Sequence, residues 1–154
     1  MNVPNKILYT AEATVVGGRG GHVRSSDGHL DIDLDIPHEM GGAGGPGTNP
    51  EQLFAAGFAA CFESALLGAA RREKKNIGQV VITNRVGIGP IGGGRMGLAV
   101  EMHIHIPGVE HAEAEALVQL ADEICPYSNA TRGNISIQLS VEDREETLSS
   151  SRGV

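Results

Sequence analysis

Residues 49–72 have the sequence NPEQLFAAGFAACFESALLGAARR, and this stretch predicts a long central helix. Asn49 is a favourable N-cap, Pro50 suits the first helical position, and Glu51 places a negative charge where the helix dipole favours one. Apolar residues recur at three- and four-residue steps, namely Phe54, Phe58, Cys61, Phe62, Ala65, Leu66 and Ala69. The opposite side carries alanine and glycine, so we expect protein to cover this helix on most sides.

The composition fits one domain with a core of small aliphatic side chains. The chain has 154 residues, of which 3% are aromatic, and it contains no tryptophan. A chain of this length is normally one domain, and we expect residues 1–154 to form a single one, with a polar, fraying tail from about residue 143. Pairing with a second copy of the chain would bury more apolar surface.

Charge and hydropathy argue against nucleic acid and membranes as partners. The formal net charge is −7, and lysine and arginine cluster only at the end of the long helix. Residues 53–70 are the one stretch that approaches a membrane span, but Glu63 and Ser64 interrupt it and most of its residues are small. The chain opens without a signal sequence, so we expect a cytoplasmic protein, in which a reactive cysteine pair is more usual than a structural disulfide.

The remaining chain alternates between strand and helix patterns. Strands are predicted over residues 6–16, on either side of a turn at 25–28, and over 79–91, 96–106 and 135–141. A second helix is predicted over His111–Ile124, closed by Cys125 and Pro126. This order predicts an α+β fold with mainly antiparallel pairing.

Residues 37–48 form a glycine-rich loop that leads into the long helix. Such a loop can bind phosphate, but this one lacks a Walker lysine and the GxGxxG context, and Glu51 would repel an anion. A flexible loop that closes over a pocket is an interpretation at least as good.

Cys61, in the middle of the long helix, is the first candidate for chemistry. A cysteine on a buried helix is most often a small core residue, and the other cysteine, Cys125, is too distant in sequence for a CxxC motif. Two features nevertheless favour a reactive thiol. Arg19, set among four glycines, offers the cation that a thiolate needs, and Glu51 offers that arginine a counter-ion.

The spacing along the helix suggests that two chains build this site. Glu51 and Cys61 are separated by roughly 15 Å at the rise of an α-helix. An Arg19–Glu51 pair that also contacts Cys61 is therefore difficult to build from one copy of the helix. We expect the site to lie between two chains.

The histidines offer an alternative chemistry. His103 and His105 lie two residues apart on the polar side of a predicted strand, and they could hold a metal with His22 or His38. A solvated face of a hairpin strand explains the same pattern, and we prefer that interpretation.

Three blocks of sequence resemble those of one known family. They are YTAEA at 9–13 with GRGG at 18–21, NPEQLFAAG at 49–57 with ACF at 60–62, and CPYSNATRGN at 125–134. In this order, and over nearly the whole chain, they resemble the organic hydroperoxide resistance proteins of the OsmC/Ohr superfamily. The resemblance implies an OsmC-like fold, with sheets wrapped around the long helix, and an intertwined homodimer with its active sites at the subunit interface.

The resemblance also implies a role for four residues. It implies a thiol-dependent peroxidase that reduces organic hydroperoxides, including those of fatty acids, to alcohols. By position, Cys61 is implied to be the peroxidatic cysteine, which forms a sulfenic acid, and Cys125 the resolving cysteine, which forms a disulfide with it. Arg19 matches the arginine that stabilises the thiolate, and Glu51 the glutamate that orients this arginine. Dihydrolipoamide or lipoylated proteins are the implied reductants, with no bound cofactor.

The phenylalanines near Cys61 bear on the choice of substrate, and two other functions fit the same sequence. Apolar side chains beside the sulfur, those of Phe54, Phe58 and Phe62, would favour organic peroxides over hydrogen peroxide. The osmotically induced branch of the same superfamily shares both cysteines. A small module that binds an apolar ligand between subunits is a rival from another class.

Overall fold

The computed structural model describes residues 1–143, and the polar tail predicted from about residue 143 lies beyond them. Close contacts group the chain into two compact units, Met1–Phe54 and a second unit that begins at Ala55. The regular elements, in chain order, are β1 (Ala13–Val16), β2 (His22–Ser25), β3 (Asp31–Asp33), α1 (Pro50–Arg72), β4 (Val81–Gly92), β5 (Arg95–His105), α2 (His111–Ile124), α3 (Pro126–Thr131) and β6 (Ser136–Glu142). The predicted α+β class is confirmed.

The first unit contains an antiparallel sheet in the order β1-β2-β3. Strand β1 is shorter than the predicted strand over residues 6–16, because β2, the strand that pairs with it, ends at Ser25. Ala13 pairs with Ser25, the last residue of β2, and the chain then turns, so residues before Ala13 have no strand beside them in this sheet. The apolar side chains of Ile7 and Leu8 are consequently exposed.

The predicted turn between β2 and β3 is present and is held by side chains. The Ser25 hydroxyl donates to Asp27 at 2.6 Å and accepts the Leu30 N–H at 2.9 Å. Gly28 lies at φ +76°, a conformation that glycine adopts without steric cost. The chain after the turn alternates between a buried and an exposed face, since Leu34 is buried while Asp31 is exposed.

The glycine-rich loop packs closely on itself and on the chain that follows β3. A side chain on Gly42 would overlap the carbonyl of Ile36, and one on Gly44 would overlap the ring of His38. The N–H of Gly47 donates to the Asp35 carboxylate at 2.5 Å. Gly42 and Gly44 therefore allow close packing within this loop.

The second unit contains the sheet β4-β5-β6. Strands β4 and β5 form a long antiparallel hairpin whose turn residues, Gly93 and Gly94, both have positive φ, as a tight two-residue hairpin turn requires. Strand β6 pairs parallel to β5, because the chain crosses over through α2 and α3 before it returns. Pairing is thus mainly antiparallel, as predicted, with this one parallel pair between named strands of the described chain.

The core of the second unit is aliphatic with two phenylalanines, as the composition suggested. Its main contributors are Phe58, Phe62 and Leu66 from α1, Val100, Met102 and Ile104 from β5, and Leu117, Val118 and Ala121 from α2. Helix α1 is also joined to β4 by a hydrogen bond from the Asn84 amide to the Ala55 carbonyl at 3.1 Å.

The single chain leaves one side of α1 exposed, and coverage of that side by a second chain stays a prediction. Ala56, Ala60, Ser64 and Leu67 recur at helical spacing and are exposed. By length and mean hydropathy (1.7), α1 also qualifies as a candidate membrane span, and a third of its most apolar window is buried inside the structure. The core helix of a soluble protein passes the same test.

The burial of two isoleucines, one on β5 and one on β4, predicts that replacing them by alanine has very different effects on stability. Ile104 is fully buried, whereas Ile91, near the hairpin turn, is 57% exposed. Ile104→Ala should lower the free energy of unfolding by about 2–5 kcal/mol, because it leaves a cavity. The matched control Ile91→Ala should change it by less than about 0.5 kcal/mol. Chemical denaturation measures both, and equal losses would contradict the assigned core.

Candidate active site

Arg19 lies on a single 3-10 turn, Gly18–Gly20, between β1 and β2. Gly17 and Gly18 have φ of +84° and +58°, in the left-handed region that other residues rarely adopt. A side chain on Gly21 would overlap the carbonyl of Val16. Gly17, Gly18 and Gly21 are thus required by the tight turn that presents the Arg19 side chain.

Arg19 and Glu51 form a bidentate ion pair. The guanidinium Nη1 donates to Glu51 Oε2 at 2.9 Å, and Nη2 donates to Oε1 at 2.7 Å. The Glu51 side chain is 11% exposed and that of Arg19 36%. The hydrogen bonds from Arg19 lower the pKa of Glu51 below its usual value, and the same bonds raise the pKa of Arg19. Both groups are therefore charged at neutral pH, and the two-point contact fixes the guanidinium plane.

The start of α1 fixes the position of Glu51. The side chain of Asn49 accepts the Gln52 N–H at 2.9 Å, which is the N-cap contact that the sequence predicted. The hydroxyl of Thr48 donates to the Gln52 side chain at 2.8 Å. Glu51 therefore projects from a capped first turn.

Met40 also lies near the guanidinium. It ends the short turn His38–Met40, and its sulfur lies 4.0 Å from Arg19 Nη1. The sequence analysis gave Met40 no role, since no pattern in the chain places a loop methionine beside Arg19.

The second unit brings the two cysteines together. Both are free thiols; Cys61 is partly exposed and Cys125 is fully buried. Burial is the main cause that raises the pKa of Cys61, and the charge of Cys125 and a hydrogen bond between the two side chains raise it further. A cysteine from the middle of α1 thus contacts one that ends α2.

Helix α3 supplies a group that favours the Cys61 anion. The Tyr127 N–H makes a hydrogen bond to Cys61, and this contact opposes the rise in the pKa of the thiol. The Tyr127 ring lies 5.6 Å from that of Phe58, and a side chain on Gly57 would approach the Tyr127 hydroxyl to 3.1 Å. Gly57 therefore leaves the space in which Tyr127 packs.

The sequence analysis missed α3 and the role of Tyr127. A helix of six residues is too short to show an apolar period. Pro126 marks the end of α2 in the sequence, and proline is also favourable at the first position of a new helix. That preference was the available signal.

The three phenylalanines differ in exposure. Phe58 and Phe62 are fully buried within the single chain, and Phe54 is partly exposed. Phe58 contacts Tyr127, which places it next to the residue that binds the Cys61 sulfur. A substrate-binding role for the three stays a prediction.

Three of the candidate histidines, His22, His103 and His105, have carboxylate or carbonyl partners. His103 Nδ1 lies 2.8 Å from the Glu142 carboxylate, and His105 Nδ1 lies 3.1 Å from the Glu142 carbonyl oxygen. His22 lies between Asp31 and Asp33, at 2.5 and 2.6 Å. Within residues 1–143, no three His, Cys, Asp or Glu side chains are grouped as a metal site requires.

Comparison with known proteins gives a consistent result. The OsmC-like protein family matches residues 41–140. An organic hydroperoxide resistance protein of Xanthomonas axonopodis pv. citri is 54% identical over 92% of this chain and 99% of its own length. The protein OhrB of Bacillus subtilis, which bears the same description, is 39% identical over 88% of this chain and 98% of its own.

Solved structures agree in fold over most of the chain. An organic hydroperoxide resistance protein of Legionella pneumophila has a TM-score of 0.85 and 50% identity, covering 89% of this chain and 99% of its own. A Vibrio cholerae protein described in the same terms has a TM-score of 0.87 and 45% identity, covering 94% and 99%. The fold and the family expected from the three sequence blocks are confirmed. The chain belongs to the OsmC-like family and, within it, to the organic hydroperoxide resistance proteins.

Proposed function

We propose that this protein is a cysteine-based peroxidase that reduces organic hydroperoxides, including those of fatty acids, to alcohols. The observation that carries the proposal is the pair of free thiols, one partly exposed and one buried, joined by a hydrogen bond. The names of the relatives, which describe resistance to organic hydroperoxides, support the substrate class.

The proposed reaction needs both sulfur atoms. The Cys61 thiolate attacks the outer peroxide oxygen, the O–O bond breaks, the alcohol leaves, and Cys61 becomes a sulfenic acid. The Cys125 sulfur then attacks Cys61, water leaves, and a disulfide forms. The contact between the two side chains supports this second step, because the attacking sulfur is already beside its target.

The first step needs a cation as well. Burial and Cys125 raise the pKa of Cys61, and the Tyr127 N–H alone opposes them among the causes acting on this thiol. A thiolate is the reactive form, and a nearby cation stabilises it. We therefore assign that role to Arg19, with Glu51 orienting its guanidinium through the bidentate pair.

A homodimer with active sites at the subunit interface fits the surface of the chain. Ala56, Ala60, Ser64 and Leu67 give α1 an exposed side without charge. Small residues let a second helix approach closely, and covering this side would satisfy the expectation that protein surrounds α1. A second copy of the chain is the proposed occupant.

Re-reduction of the disulfide is assigned to a dithiol. Dihydrolipoamide or a lipoylated protein would open the bond by thiol–disulfide exchange, closing its own ring in the process. These steps need no bound cofactor or metal. The proposed compartment is the cytoplasm, where thiols are kept reduced.

Substitution of each cysteine tests the two-step reaction. Cys61→Ser should abolish turnover of an organic hydroperoxide with dihydrolipoamide. Cys125→Ser should reduce one equivalent of peroxide and then stop, because Cys61 remains a sulfenic acid that a specific trap and mass spectrometry detect. Wild type should prefer the organic peroxide to hydrogen peroxide. Full activity of Cys61→Ser would disprove the mechanism.

The role of Arg19 is tested by the ionisation of Cys61. Arg19→Gln removes a positive charge and should raise the pKa of Cys61, so that alkylation of the thiol requires a higher pH. The value of kcat/KM should fall by about 100-fold, as for loss of a charge-stabilising donor. Alkylation against pH, in the Cys125→Ser background, measures the shift.

Arg24→Gln is the matched control, since Arg24 lies on β2 and is 66% exposed. It should leave the alkylation profile and kcat/KM unchanged. Equal shifts in both variants would mean that general charge, rather than Arg19, sets the pKa of Cys61.

The proposed dimer predicts that a charge at one exposed alanine, but not at another, changes the oligomeric state. Ala60→Glu should convert the dimer to monomer, because it places an unpaired charge in the interface. Ala116→Glu makes the same change at an exposed position on α2 and should leave the dimer intact. Light scattering after gel filtration gives the masses. A monomeric wild type would disprove the proposed assembly.

A further inference from the structure

Arg19 Nη1 has two acceptors of very different strength. The carboxylate oxygen of Glu51 lies 2.9 Å from this nitrogen, and the Met40 sulfur lies 4.0 Å from it. A thioether is a weak hydrogen-bond acceptor, so the carboxylate dominates while Met40 is reduced.

Local contacts hold Met40 in place. Its N–H donates to the Pro37 carbonyl at 3.0 Å, and the next N–H, of Gly41, donates to the His38 carbonyl at 2.9 Å. Gly41 lies at φ +84°, which lets the chain turn back directly after Met40. The residue is 36% exposed, so small solutes can approach it, and these backbone contacts place it beside Arg19.

We propose that Met40 is a sulfoxidation site for the organic hydroperoxides that the protein reduces, and that its sulfoxide oxygen competes with Glu51 for the Arg19 guanidinium. The proposal rests on the proposed function, which supplies both the oxidant and the role of Arg19. It assigns a modification to a residue outside the thiol chemistry.

The hydroperoxide is the oxidant in the modification of Met40. A sulfur lone pair of Met40 attacks the outer peroxide oxygen, an S–O bond forms and the O–O bond breaks. The leaving alkoxide takes the proton that the hydroperoxide carried, by way of water. One thioether and one hydroperoxide thus become one sulfoxide and one alcohol. Arg19 lies where it can donate a hydrogen bond to the leaving oxygen as charge develops there.

The product changes the contacts of Arg19. A sulfoxide oxygen projects one bond length from the sulfur, and from a sulfur 4.0 Å from Nη1 it can reach hydrogen-bonding distance of that nitrogen. It is polar, and it replaces an acceptor that was apolar and weak. Nη1 is then shared between the sulfoxide oxygen and Glu51, so its hydrogen bond to Glu51 weakens. The guanidinium is held less firmly, and under the proposed function it stabilises the Cys61 thiolate less. Methionine sulfoxide reductases reverse the change.

A mass-spectrometric experiment tests the modification without relying on turnover. The Cys61→Ser/Cys125→Ser protein, which has no thiol to consume peroxide, is treated with cumene hydroperoxide and digested. Met40 should gain one oxygen faster than Met96, although Met96 is more exposed at 55%. In an added Arg19→Gln background this advantage of Met40 should disappear. Slower oxidation of Met40 than of Met96 in the parent protein would overturn the proposal.

A second experiment tests the consequence. Wild type, Met40→Leu and the control Met96→Leu are treated with cumene hydroperoxide, reduced with dihydrolipoamide, and assayed against their own untreated samples. Wild type and Met96→Leu should lose about tenfold in kcat/KM, the size expected when one bond to a charged group is lost. Met40→Leu should lose less, and a methionine sulfoxide reductase should restore only the other two.

Over-oxidation of Cys61 would affect all three proteins equally, so the difference between them isolates Met40. The pKa of Cys61, followed by alkylation, should rise on treatment of wild type but not of Met40→Leu. If no variant turns over the peroxide, the proposed function fails while the oxidation of Met40 still has its own result. Equal losses in wild type and Met40→Leu would overturn the regulatory role of Met40.

Discussion

The bidentate ion pair between Arg19 and Glu51 depends on the conformation of much of the N-terminal unit. A guanidinium with two donors on one carboxylate has a defined plane and a defined distance, which a single contact would not give. Every nearby feature contributes to this geometry. The glycines around Arg19 permit the turn that presents it, the cap at Asn49 begins the helix that carries Glu51, and the packed glycine loop joins the two. Glu51 is largely shielded from water, so solvent screens this pair less than it would a fully exposed one.

The cysteine pair has the opposite electrostatic character. Packing Cys61 into an apolar environment beside Cys125 disfavours the charged form that the chemistry needs, and one backbone N–H only partly offsets this. A nearby cation would favour the thiolate. In the proposed mechanism Arg19 supplies that charge, and the Arg19–Glu51 pair and the cysteine pair have separate tasks. The same arrangement explains why the preference for an apolar peroxide and the need for a cation coexist in the proposed mechanism.

Local sequence patterns predicted the elements well but not how they associate. Helices α1 and α2 and both hairpin turns follow from apolar periods, caps and glycines, which act within a few residues. Strand β1 is shorter than its pattern because a strand needs a neighbour, and β6 is parallel because of a crossover, neither of which alternation reveals. The contact between Cys61 and Cys125 depends on how α2 packs, so only family resemblance foresaw it. Met40 approaches Arg19 from a loop position, which side-chain patterns do not reveal. Tyr127 contacts Cys61 through its backbone N–H, and the only local signal for its helix was Pro126.

Cys125 ends α2 and begins α3, with φ −62° and ψ 122°, outside the helical region. Pro126 keeps the two helices from fusing, because its ring disfavours helical geometry in the residue before it. The buried sulfur therefore belongs to the one residue that joins α2 to α3. The same junction begins the helix that carries the Tyr127 N–H, which makes a hydrogen bond to Cys61. The position of the Cys125 sulfur and that of a hydrogen-bond donor to Cys61 are thus set at one point of the chain.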